Sequence, residues 1–269
     1  MNSYLSHDPL KAIDEADASG RTAEIFADIR ETMNLPLLTS IWRGLAGMGD
    51  GLEQTWSAAK PIFEAGEPER ALARVMGKVT LPIALPLTSA QLSCVGVTES
   101  DLADIRNILA AYNRSNGMNL VALCALVSDY SEAPPPSAPM QPLTWPKLRP
   151  LMRRDAIAED VWSMVQDVNQ LAVPRNTMVA TLWRHLAYWP GFLALLYAAF
   201  APLQVEHLID RAGEEVIALA ASEGKRMASL RPKQCHLSEQ AMELITGYVS
   251  NPTAGRIVAI GYAIARWLG

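Results

Sequence analysis

A chain of 269 residues that is 50% apolar and 19% charged has ample material for a packed core, which excludes extended disorder. Its formal net charge of −5, with Lys and Arg scattered rather than clustered, gives no electrostatic basis for binding nucleic acid. Cys94, Cys124 and Cys235 have no metal-ligand spacing and read as buried free thiols of a reducing compartment.

In chain order, Met1–Pro9 lacks the basic region and apolar run of a secretory signal, so a cytoplasmic location is expected. Ile25, Ile29 and Met33 recur at a spacing of four and predict a helix. Pro36 fits a first-turn position of the next one. The apolar run Val79–Leu87 contains Pro82 and Pro86, which remove backbone donors, so it reads as an extended loop rather than a strand. Thr98-Glu99-Ser100-Asp101 has the form of a capping box, followed by the helical stripe Leu102, Ile105, Leu109, Tyr112. Glu132–Pro139 holds four prolines and reads as a stiff linker.

Beyond it, Val161, Trp162, Val165 and Val168 form another stripe, and a helix is expected from Met178 to Tyr188. Leu186–Val205 carries no charge and has the length of a membrane span. Pro190, Gly191 and Pro202 interrupt it, and its counterpart Leu45–Glu64 carries Asp50, Glu53 and Lys60, so buried core is expected and no membrane insertion. The acidic stretch Glu206–Glu215 reads as a solvated helix face, and Ser238 as the N-cap of a later helix.

That counterpart is part of an internal repeat. Ile41-Trp42-Arg43-Gly44-Leu45-Ala46 reappears as Leu182-Trp183-Arg184-His185-Leu186-Ala187, and the match runs on without a gap to Pro61 over Pro202. Tyr112–Leu123 resembles Tyr248–Ile260 at almost the same offset. The chain is therefore expected to be all-α, with a first helical repeat over 1–131, a Pro-rich linker over 132–150 and a second helical repeat over 151–269. Two such lobes make an intramolecular pseudo-dimer, whose unique cleft lies at the seam between them. A twofold built into one chain reduces the need for a homodimer without forbidding one.

Several motifs carry a family resemblance. Glu15-Ala16-Asp17-Ala18-Ser19-Gly20, Ala23–Arg30, Trp42–Ala46, Tyr112-Asn113-Arg114-Ser115-Asn116 and Ala187-Tyr188-Trp189-Pro190-Gly191 resemble, in order and spacing, the group I (DehI-type) 2-haloacid dehalogenases. The resemblance implies hydrolysis of the carbon–halogen bond of short 2-haloalkanoic acids, with inversion, by a water that an Asp activates and an Asn helps to hold. It implies no metal and no organic cofactor. Carried over by position, the water-holding Asn falls on Asn116 and a pocket tyrosine on Tyr248. Two pocket aromatics fall on Leu37 and Ser40, and the Ala-Ser-Asp triplet ending in the catalytic carboxylate falls on Ala180-Thr181-Leu182. Leucine cannot accept a proton from water.

His185 lies one turn beyond Thr181 and Leu182, titrates near neutrality, and is an alternative base; its other reading is a core histidine donating to a backbone carbonyl. Thr181 is either a ligand-binding hydroxyl or back-bonded within its helix. Asn116 either holds a ligand or caps a following helix. Arg43 and Arg184, paired by the repeat, read as structural ion pairs or stacks, or as partners of a substrate carboxylate. No G-x-S-x-G, H-E-x-x-H or glycine-rich phosphate loop is present. Two classes of function follow: a cofactor-free hydrolase acting on a small carboxylic acid, or a non-catalytic homologue whose more apolar seam takes an apolar ligand.

Overall fold

The computed structural model describes residues 12–130, 138, 140, 143–175, 177–234 and 236–269. Among them, every regular element is a helix: α1 (Gly20–Met33), α2 (Ser40–Ala46), α3 (Gly51–Glu64), α4 (Glu67–Met76), α5 (Ser89–Cys94), α6 (Glu99–Val127), α7 (Glu159–Asn169), α8 (Thr181–His185), α9 (Pro190–Val205), α10 (Leu208–Met227), α11 (Glu239–Ser250) and α12 (Pro252–Leu268). The fold is all-α, as the periodicity requires.

Local signals act where chemistry puts them. Thr98 and Asp101 exchange side-chain to backbone bonds at the start of α6, at 3.1 Å each way. The Ser238 hydroxyl accepts from the Ala241 amide at 3.2 Å and opens α11. Pro190 begins α9, where its missing N–H costs no bond. Ile25, Ile29 and Met33 form the buried face of α1, and Trp162, Val165 and Val168 that of α7. Residues 80–88 are irregular, with Ile83 and Leu85 exposed. Among the described residues no single helix is long and apolar enough to cross a membrane; α9 turns Phe192, Leu193, Leu196 and Phe200 into the core.

Five expectations are corrected. Pro36 lies in the turn before α2, not in a helix. The helix expected from Met178 begins at Thr181 and tightens into a 3₁₀ turn over Leu186–Tyr188. Asn116 sits inside the 29-residue α6, where it can cap nothing. Cys94 is exposed, whereas Cys124 is buried and its thiol is pushed up to about 12 by desolvation. The acidic stretch is not wholly solvated: Asp210 is part-buried and pairs with Arg256 at 2.9 Å. Cys235 and most of Glu132–Pro139 lie outside the described residues.

The buried side chains form two clusters, and both draw on residues before and after the proline-rich stretch. The first joins α1–α4 to Met118–Leu126 of α6, to α11, and to Ala212–Met227 and Ala254–Ala259 of α10 and α12. The second joins α7–α9 to Ile105–Tyr112 of α6 and Ile260–Leu268 of α12. So α6 and α12 each run through both cores. The α10–α12 crossing is close: a Cβ on Gly255 would lie 2.2 Å from the Gly213 carbonyl oxygen. A polar knot ties α2 to α6, in which Asn119 accepts from the Trp42 indole at 3.0 Å and donates to the Thr39 hydroxyl at 2.8 Å.

Candidate functional site

The short helices α2 and α8 both enter against α6. Thr39, the residue before α2, meets Ser115 and Asn119. Thr181, the first residue of α8, lies within hydrogen-bonding reach of the Tyr112 phenol. Because Thr181 opens its helix, it has no preceding turn to bond back to. Asn116 is half-buried one turn along α6 from Tyr112.

A cavity of about 630 Å³ opens at this junction. Its wall includes Leu37, Arg43, Tyr112, Arg184 and His185, and its rim includes Asp14 and residues 145–151. The His185 and Tyr112 rings meet edge to face with centroids 5.8 Å apart. His185 Nε2 lies 2.6 Å from the Arg149 carbonyl oxygen. A carbonyl oxygen only accepts, so Nε2 carries the proton and the Nδ1 lone pair is free of it. Nδ1 is buried and has no hydrogen-bond partner among the described residues. Burial lowers the His185 pKa, so the imidazole is neutral at pH 7. Burial pushes the Tyr112 phenol up to about 12, against the opposing pull of Thr181 and of the nearby Arg43 and Arg184 guanidiniums.

The two arginines are held differently. Arg43 donates to Asp14 at 2.5 Å, and its own carbonyl accepts from the Ile13 amide at 3.1 Å. Arg184 donates to the Met152 carbonyl at 2.8 Å. Glu15 accepts from the Leu38 amide at 2.8 Å and pairs with Arg30, which fixes the turn that carries Leu37. The Arg149 side chain lies over the rings of Tyr188 and Trp189, which holds its carbonyl toward His185.

A second cavity, of about 730 Å³, takes two of the other positions singled out from the sequence, while Asn116, Thr181 and Leu182 line neither cavity. Ser40 and Tyr248 line it together with Ile41, Met48, Met178 and Leu244. Burial raises the Tyr248 phenol pKa well above its ordinary value. Leu37 and His185 therefore share one cavity, and Ser40 and Tyr248 another. Leu182 is 1% exposed and belongs to the second core. Tyr112 and Asp14, which sequence reasoning assigned no site role, stand at the first cavity; Tyr112 read as one position of a helical stripe, and nothing local marks Asp14. Among the described residues no group of His, Cys, Asp and Glu has the arrangement of a metal site.

This all-α arrangement is that of the D-2-haloacid dehalogenases. The crystal structure of a D-2-haloacid dehalogenase mutant superposes with a TM-score of 0.75 at 16% identity, covering 97% of this chain and 96% of that one. A D-2-haloacid dehalogenase mutant in complex with D-2-CPA gives 0.71 at 16% identity, covering 96% and 93%. In sequence, the (R)-2-haloacid dehalogenase of Pseudomonas putida is 24% identical over 111 residues, which spans 39% of this chain and 37% of the relative's length. No family model matches the chain. The structural likeness shows the fold, and the sequence match supports a relationship to the group I 2-haloacid dehalogenases.

Proposed function

We propose that the chain is a hydrolase of the 2-haloacid dehalogenase type, working without metal or organic cofactor, in which His185 replaces the family carboxylate as the base. The observation that carries this reading is the imidazole itself: Nε2–H is pinned by Arg149, while Nδ1 keeps its lone pair in a neutral ring on the cavity wall. A water that reaches Nδ1, which is covered in this structure and has to be opened by a shift of the cavity wall, gives up a proton to it as its oxygen attacks C2 of a 2-haloalkanoate. The carbon–halogen bond breaks from the opposite face, the halide leaves with the bonding pair, and an inverted 2-hydroxy acid forms. Tyr112 faces the ring, and Leu37 supplies an apolar wall. The family resemblance assigns the water-holding amide to Asn116, one turn from Tyr112 on α6, which is not among the residues that line the cavity.

The architecture behind this reading is a duplication of 1–131 as 151–269 across the linker 132–150. It is supported by Trp42 and Trp183, 141 residues apart in equivalent short helices, and by Gly66 and His207, also 141 apart, each left-handed immediately before α4 or α10. Purified protein offered (R)- and (S)-2-chloropropionate is expected to release halide, and His185→Ala with its fold intact to lose that release. No halide from either enantiomer removes the dehalogenase reading; unchanged release in His185→Ala removes the histidine.

A second reading is favoured by Leu182, sealed in the core where the family acid would stand. In it the chain is a non-catalytic relative that takes an apolar ligand in the cavity of Ile41, Met178 and Leu244. A rise in melting temperature with apolar compounds and none with small acids would select it.

A further inference from the structure

We infer that Arg43 is the recognition point for a substrate carboxylate and that Asp14 is a built-in stand-in which the substrate displaces; this rests on the reading of the Tyr112–His185 cavity as the reactive one. The Arg43 side chain is 6% exposed, yet it lines that cavity beside Tyr112 and His185. A guanidinium so deeply placed requires an anionic partner, because its desolvation is otherwise uncompensated. One of the carboxylates it pairs with is unusual. Asp14 lies 2.5 Å away but its own side chain is 57% exposed, and it belongs to an irregular segment on the cavity rim. That segment is tied to α2 by the Ile13 amide on the Arg43 carbonyl.

An exposed aspartate on a short tether gains little from this pair, since water solvates it almost as well. A small monocarboxylate entering the cavity offers Arg43 the same two oxygens, and can accept both guanidinium N–H groups at once. The exchange is near balance electrostatically: one carboxylate leaves the guanidinium as another arrives, and Asp14 returns to solvent. Its consequence is selectivity. A neutral amide or alcohol of the same shape cannot displace Asp14, whereas a monocarboxylate can.

Asp14→Asn, an exposed change that leaves the core untouched, tests this with (R)- and (S)-lactate as stable probes and lactamide as their neutral isostere, by calorimetry on the full chain. Asp14→Asn is expected to tighten lactate about three- to tenfold and leave lactamide unchanged, and Arg43→Lys to weaken lactate about tenfold. Lactate affinity unchanged or weakened by Asp14→Asn overturns the inference. So does equal tightening of lactate and lactamide, or no lactate binding by either form. Lactate binding that tightens as expected, without halide release from 2-chloropropionate, upholds Arg43 and Asp14 and removes only the hydrolase reading.

Discussion

The His185 imidazole stands edge-on to the Tyr112 ring, 5.8 Å between centroids, and is fastened from the other side by the Arg149 carbonyl. The ring is thus oriented by two partners from different parts of the chain, α6 and the segment before α7. Its protonation in place costs buried charge with no acid beside it, which lowers its pKa below the ordinary 6.5.

That depression sets a pH dependence. Below about pH 6.5 the unfolded chain takes up a proton at His185 that the folded chain does not, so stability falls on acidification, by at most about 1.4 kcal/mol per pH unit. The loss begins above the range where Asp28, Asp101 and Asp210, all held low by their partners, start to titrate. Urea denaturation at pH 7.0, 6.0 and 5.0 is expected to show this decline, and His185→Gln to flatten it. For the same reason the acid limb of any halide release should lie below pH 6.5.

Restoring the family acid at its aligned position should fail. Leu182→Asp places a carboxylate in the second core without a cation, at a cost of about 3 kcal/mol or more, or else holds it protonated. The expected result is a lower melting temperature and no gain in halide release. A stable, active Leu182→Asp would mean that α8 turns to bring residue 182 into the cavity.

Asn119 satisfies both the Trp42 indole and the Thr39 hydroxyl inside the first core. Asn119→Ala leaves a buried N–H without an acceptor and is expected to cost about 2 kcal/mol in chemical denaturation. Trp42 fluorescence should shift with it, because the indole loses its acceptor.

The α4–α10 contact depends on one cation. Arg74 bonds Glu67 and, at 2.8 Å, Glu223, two carboxylates that are themselves buried. Arg74→Met removes the bridge between the two acids but leaves Glu67 with Arg70 at 2.8 Å and Glu223 with Arg226 at 3.8 Å, so a loss of about 2 kcal/mol is expected in urea. Glu67→Gln combined with Glu223→Gln should recover part of that loss; no recovery would show that the arginine stem, not its charge, matters.

Much of the helical pattern was legible because its causes are local. Thr98 with Asp101, Ser238, Pro190 and the stripe of α7 each act within a turn or two of their own position. The start of α8 was misplaced because Met178–Ala180 is apolar and compatible with a helix; its extended path is fixed from outside, by Asn169 bonding the Met178 carbonyl and the Ala180 amide. The site was less legible still. Ser40 and Leu37 are three residues apart but open into different cavities, which no spacing on one strip of sequence reveals. The link between Asp14 and Arg43 spans an irregular segment and a helix, and carries no periodic signature at all.

Because α6 and α12 thread both hydrophobic clusters, neither stretch on its own side of the prolines holds a complete interior. Severing the backbone anywhere between Val127 and Arg154 should give two pieces that are each insoluble or unfolded when produced singly. Made together, they should reassemble into one particle, with the cavity of Tyr112 and His185 restored only by their reunion.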